Sequence, residues 1–133
     1  MSTASSEHRI VEVLIGTLSL IAETRLGYSA TGINDLEAPA ILVQLESLTE
    51  VTRLGTKARF ELQFVISAVV RTSEEATIEL IALTRKIRTA LNPAQRLCPE
   101  ARKHTLGDTR FDIAPNHGQL SFADSTLTIE AIL

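Results

Sequence analysis

The sequence predicts an α+β fold of two layers, in which a mainly antiparallel sheet of about four strands packs against two helices. Residues 57–71 alternate apolar and polar side chains over a length well beyond the usual ~5–6 residues of a strand. Residues 72–91 follow at once with apolar side chains at helical spacing. A second amphipathic helix opens the chain and further alternating segments close it. The predicted order is therefore α-β-β-α-β-β, in a single domain over residues 1–133.

The segment Lys57–Arg71 is predicted to be the central strand. One of its faces is apolar throughout, and period-two alternation places such a face in a core. The other face is polar at its start and mixed towards its end, where Val65 and Val69 stand. A wholly solvated face would have no reason to change in this way. We therefore expect either a loop or helix of the same chain, or another subunit, to cover that end.

The helix after this strand is predicted from three local signals. Thr72 and Glu75 match a capping box, in which a threonine N-cap pairs with a glutamate three residues on. Asn92-Pro93 ends the helix, because the residue before proline is disfavoured in the α region. Ile78 and Ile81 are expected to widen the apolar stripe that faces the sheet. That stripe comprises Ala76, Leu80, Leu83, Ile87 and Ala90 or Leu91.

The opening helix is predicted over Glu7–Arg25, with a broad apolar sector. Gly16 lies inside it, which suggests close packing against a neighbour, and Gly27 is placed as the left-handed residue after the helix end. Residues 1–6 are expected to form a disordered arm and residues 26–39 a long loop.

The remaining strands are predicted from shorter alternating segments. Residues 40–51 form a hairpin with the central strand, with the bend anywhere between Ser47 and Gly55. Residues 94–103 are expected to be irregular. Strands are predicted over residues 109–114 and 126–133, with a short piece of strand over 119–123.

Composition argues against several classes of function. The net charge is −3, and both signs are interspersed, so neither a sequence-specific nucleic-acid surface nor an anionic-membrane surface is indicated. No 18-residue apolar run marks a transmembrane helix. The single cysteine, Cys98, excludes an internal disulfide.

No catalytic or metal-binding pattern is present in the sequence. His8, His104 and His117 do not stand at metal-ligand spacing on a predicted helix. Asp35 and Glu37 are interpreted as solvated loop carboxylates rather than cation ligands. We therefore expect no cofactor, no metal site and no enzymatic activity, although a small enzyme whose site forms between subunits stays an alternative.

Three segments resemble the tail terminator, or tail completion, proteins of long-tailed phages of the lambda or Mu type. They are the opening helix at residues 7–25, the strand after proline at residues 38–46, and the strand and helix at residues 60–91. The resemblance spans most of the chain in layout, and the family also resembles tail-tube and head–tail connector proteins in fold.

The resemblance implies a structural protein of the virion tail, made in the host cytoplasm during assembly. Its copies would form a ring, expected to be a hexamer, that caps the tail tube. The implied partners are other copies of the chain, the tail tube protein and the head–tail connector protein, with no membrane and no direct sequence-specific nucleic-acid binding. A ferredoxin-like ligand-binding or regulatory module is the alternative from another class.

The pattern also suggests which residues contact neighbouring subunits. The central strand presents charged side chains and two valines on its second face, and the long loop can reach a neighbour. The other interpretation is an ordinary solvated sheet face. The candidate interface residues are Arg53, Arg59, Glu61, Val65, Val69, Arg71, Tyr28 and Asp35.

Overall fold

The computed structural model describes residues 6–27 and 37–133, and in these ranges the chain is an α+β domain of two layers. The elements in chain order are α1 Ser6–Ser19, β1 Glu23–Leu26, β2 Ala40–Leu54, β3 Lys57–Arg71, α2 Ala76–Ala90, β4 Ala101–Asp112 and β5 Leu120–Ile132. The sheet order is β1-β2-β3-β5-β4, with β1 parallel to β2 and the other neighbours antiparallel. The predicted α+β class and the two helices are confirmed, but the described sheet has five strands rather than about four.

The central strand β3 has the bounds that the sequence predicts. Its even-numbered residues face both helices, and Leu62, Phe64 and Ile66 are buried there. Ile10 and Leu14 of α1 and Leu80 of α2 belong to the same apolar cluster. Both helices therefore cover one face of the sheet, and the opposite face, called the outer sheet face below, lies away from them.

The opening helix ends at Ser19 rather than at Arg25. Residues 23–26 instead form β1, whose backbone pairs with Ala40–Val43 of β2. Gly27 has a positive φ of 69°, as predicted, but it follows a strand and donates its N–H to the carbonyl oxygen of Val43. The expected close packing at Gly16 is wrong, because a Cβ there would meet nothing within 4 Å.

The predicted capping box is also wrong, because Thr72 forms hydrogen bonds to strand β5 instead of capping the helix. The Thr72 N–H donates to the Gln119 carbonyl oxygen over 2.7 Å, which extends the β3–β5 pairing by one residue. Its buried hydroxyl bonds to that of Ser121. The helix α2 consequently begins at Ala76, with Glu75 at the N-cap and no side-chain capping bond. The predicted inward stripe of α2 is buried, with Leu91 as its last member.

The last two strands are longer than predicted. Strand β5 is continuous over Leu120–Ile132, and β4 begins at Ala101 rather than at Thr109. Two register shifts break the alternation of β4, one between Ala101 and Lys103 and one between Leu106 and Thr109. A bulge adds a residue without a cross-strand partner, so a bulged strand loses the period-two pattern.

The guanidinium of Arg88 occupies the second bulge of β4. It donates to the carbonyl oxygens of Leu106 and Gly107 and, over 2.9 Å, to the Thr109 hydroxyl. The helix α2 is thereby attached by a side chain to the edge strand of the sheet.

Candidate assembly surfaces

The outer sheet face carries a row of polar side chains across four strands. Thr49, Glu61, Glu130 and Lys103 are in register from β2 through β3 and β5 to β4. Arg59 Nη1 lies 3.7 Å and Lys103 Nζ 3.6 Å from the two carboxylate oxygens of Glu130. Among the described residues Glu61 has no ion-pair partner, although it stands directly opposite Glu130. Like charges opposite each other in a sheet are destabilising. In the described part of the single chain, Glu61 therefore lacks a cation that would balance its charge.

A groove of about 350 Å³ lies along this row. Its lining residues are Glu61, Lys103, Thr105, Thr128 and Glu130. Carboxylates, an ammonium group and hydroxyls can bind polar side chains of a partner. No histidine or cysteine lines the groove, and no cluster of metal-ligating side chains occurs within residues 6–27 and 37–133.

The predicted interface arginines lie at opposite ends of the central strand. Arg53 and Arg59 are near the β2–β3 turn, where Arg53 Nε lies 3.1 Å from Glu50 and Arg59 bonds to the hydroxyl of Thr52. Arg71 is at the far end, about 40 Å away by strand rise, and it donates to the Gly118 carbonyl oxygen over 2.9 Å. The structure does not bring the three arginines together.

The two valines differ in what they can contact. Val65 is half-buried, whereas Val69 is fully buried in a second apolar cluster with Ala40 and Leu42, packed by Leu120 and Phe122. Because Val69 is buried in the single chain, its end of the outer sheet face is covered without another subunit. We therefore leave Val69 out of the proposed interface. The predicted interface residues Tyr28 and Asp35 lie outside the described residues.

The β2–β3 hairpin exposes apolar side chains that are not among the interface residues predicted from the sequence. Leu45, Leu48, Val51 and Leu54 are each about half exposed, at 46–49%. Together they are called the hairpin patch. Strand β1 pairs only with Ala40–Val43, so beyond that point the outer edge of β2 has no strand neighbour in the described part of the chain. Four exposed large apolar residues along one free edge strand, with Leu45 and Leu48 on its helix side and Leu54 on its outer side, favour a contact with another chain there.

The sequence contained a signal for the hairpin patch. Its members recur every third residue, which fits neither a regular strand nor an isolated helix in this position. The register shift between Leu45 and Ser47 keeps Leu45 and Leu48 on one face, opposite Phe64 and Leu62. Val51 lies at the second shift, between Glu50 and Thr52, and Leu54 pairs with Lys57 on the outer sheet face. Bulges of this kind are common at sheet edges and re-aim side chains.

Helix α2 carries a second set of exposed apolar residues. Ile78 and Ile81 are 70% and 52% exposed, so the expectation that they widen the core stripe is wrong. They lie at helical spacing with Ala82, Arg85 and Thr89, all exposed. These five residues are called the α2 outer stripe.

Within the ranges that the structure describes, neither helix has the length and apolar character needed to cross a membrane.

Comparisons with known proteins give a structural likeness. No protein-family model matches the sequence. No curated protein matches it either. Among solved structures, the chain is similar to a chain of "Virion of native gene transfer agent (GTA) particle", with a TM-score of 0.56 and 13% sequence identity. The match covers 93% of this chain and 92% of that chain. At this identity the likeness shows a shared fold over nearly the whole length of both chains.

Proposed function

We propose that this chain is a structural protein of a phage-like virion and acts by assembly rather than by catalysis. The observation that carries the proposal is the near full-length fold likeness to a chain of a gene transfer agent virion. The hairpin patch and the α2 outer stripe add support, because a protein that works alone has little use for two exposed apolar surfaces. The proposed function needs no cofactor.

Within that class, we infer a tail terminator, whose ring caps the tail tube and joins it to the head connector. The layout of residues 7–25, 38–46 and 60–91 supports this role. The two exposed apolar surfaces are different from each other, as a head-to-tail contact requires, and such contacts close into rings when the rotation allows. The proposed partners are other copies of the chain, the tail tube protein and the connector protein. The proposed location is the virion tail, after assembly in the host cytoplasm.

A tail-tube-like protein or another head–tail connector is the second candidate, because the same fold likeness supports it equally. The two roles differ in what the protein does to a tube. A terminator binds one end and stops growth, whereas a tube-like protein joins the tube and lengthens it.

The test is to add the purified chain to growing tubes of the tail tube protein and to measure tube length and the position of bound protein by electron microscopy. Shorter tubes with density at one end support the terminator role. Lengthened tubes with the chain along them support the tube-like role. If the chain neither binds tubes nor binds connector complexes, the proposed function is wrong.

A further inference from the structure

The hairpin patch and the α2 outer stripe are similar in chemical character. From Leu45 to Leu54 the patch extends about 30 Å by strand rise. From Ile78 to Thr89 the stripe extends about 16 Å by helical rise, so it can cover about half of the patch. Each surface has branched apolar side chains at its centre and charged residues around them.

The charges around both surfaces change from acidic to basic along the chain, so opposite charges meet when the two elements lie antiparallel. On the hairpin, Glu46 and Glu50 come before the turn, and the basic residues Arg53 and Lys57 lie at the turn. Helix α2 has its acidic residues at its N-terminal end and its basic residues at its C-terminal end. The acidic residues are Glu74 and Glu75, just before the helix, and Glu79 in its first turn. The basic residues are Arg85, Lys86 and Arg88, of which Arg88 is held at the β4 bulge. If the hairpin turn lies beside the start of α2, every charged end meets its opposite.

Glu46 and Arg85 are the pair of opposite charges on which the charge complementarity can be tested. Glu46 and Arg85 are both exposed, and neither has an ion-pair partner among the described residues. Glu46 follows Leu45 in the hairpin patch, and Arg85 belongs to the α2 outer stripe. A contact that aligns the two surfaces brings this carboxylate and this guanidinium together at the rim of an apolar centre. Electrostatic matching of this kind fixes the register of an interface.

We propose that the hairpin patch of one copy of this chain packs against the α2 outer stripe of the next copy. This inference rests on the proposed function, since it supplies the contact by which copies assemble. The two surfaces are different, so the contact is head-to-tail, and its repetition produces a ring or an open helical array. The apolar centre excludes water, and the Glu46–Arg85 pair selects the orientation.

A charge exchange between Glu46 and Arg85 tests the pairing. Glu46→Lys and Arg85→Glu are each expected to weaken self-association about fivefold, as measured by sedimentation velocity. The double variant is expected to recover most of the loss, because the pair is restored with reversed sign. Arg96→Glu, at an exposed loop position, is the matched control and is expected to have no effect. Additive losses in the double variant would overturn the proposed pairing.

Photo-cross-linking tests the apolar contact even where self-association is weak. A photoreactive amino acid replaces Leu48 in one preparation and, as a control, the exposed Gln95 in another. After irradiation at high protein concentration, intermolecular products are mapped by mass spectrometry. We expect products from position 48 on residues 78–89 of a second copy. Products on other segments, or an absence of products, would overturn the proposal.

The two proposals fail in different ways. Rings or capped tubes that form normally with Glu46→Lys and with cross-links outside α2 would reject this contact and leave the proposed function standing. A chain that binds neither itself nor tail tubes would reject both.

Discussion

His104 is a buried histidine that forms a hydrogen bond to the C-terminal end of α2. It lies on β4, with its Nε2 atom 2.9 Å from the carbonyl oxygen of Leu91, the residue that follows α2. A carbonyl oxygen can only accept, so Nε2 carries the hydrogen and Nδ1 does not in the neutral ring. Nδ1 has no hydrogen-bond partner in the part of the chain that the structure describes.

His104→Ala is expected to lower the free energy of unfolding by about 2–4 kcal/mol, because it opens a cavity and leaves a buried carbonyl without its donor. Urea denaturation monitored by circular dichroism measures the change. His117→Ala, at an exposed turn, is the control and is expected to stay within about 0.5 kcal/mol. Equal effects of the two substitutions would contradict the role assigned to His104.

Arg88 has a geometric role that a lysine cannot perform. Its planar guanidinium serves two carbonyl oxygens and one hydroxyl at the β4 bulge. Arg88→Lys is expected to cost about 1–2 kcal/mol of unfolding free energy, since one ammonium group cannot reach the same three acceptors. Arg85→Lys, on the exposed side of the same helix, provides the comparison in the same denaturation assay. A loss at position 85 as large as that at position 88 would contradict the specific role assigned to the Arg88 contacts.

Among the structural elements, the connection between β3 and α2 is held by hydrogen bonds of Thr72 to the sheet rather than by a helix cap. Thr72 and Ser121 bond through their hydroxyls, and Ser121 also accepts the N–H of Ala114 over 2.9 Å. A double-mutant cycle of Thr72→Val and Ser121→Ala is expected to give a coupling free energy of about 1 kcal/mol. If Thr72 acted as a capping residue alone, the two substitutions would be independent and the coupling would be close to zero.

The elements also show which parts of the fold the sequence could predict. Strand β3 has no register shift in its pairing with β5, so its alternation is unbroken and its bounds were predictable. Strands β2 and β4 contain bulges, which disturb the pattern and conceal their length. Strand β1 has four residues, and it exists through parallel pairing with a segment that follows a long connection. A pairing of this kind leaves no local signal.

The candidate surface was predictable only in part, for the same reasons. The sequence indicates that Arg59 and Glu61 share the outer sheet face, and both lie there beside Glu130. It left open whether the same chain or another subunit covers the end at Val69, because burial there depends on Ala40 and Phe122, which distant segments of the sequence place beside it. The exposure of Ile78 follows from the position of α2 on the sheet, which a helical pattern alone does not determine.

For the molecule as a whole, the proposed function requires that copies of the chain assemble. Its core lies between two helices and one face of the sheet. Of the ten exposed large apolar residues in the described part of the chain, six lie on the β2–β3 hairpin and on α2, and the other four are Leu20, Leu26, Phe111 and Ile113. A well-buried core combined with exposed apolar surfaces is typical of a protein whose surfaces are covered by neighbouring subunits in an assembly. The polar groove around Glu61 is a further candidate surface, because a cationic group of a partner would reduce the repulsion between Glu61 and Glu130.

Negative-stain electron microscopy of the purified chain at high concentration, with mass photometry alongside, shows whether the chain assembles into rings. We expect closed rings with an open centre, sixfold if the tail-terminator role is right. Addition of purified tail tubes to the same sample covers the case in which rings form only on their template. A compact monomer or dimer at every concentration, with no density at the tube ends, would contradict the proposed assembly.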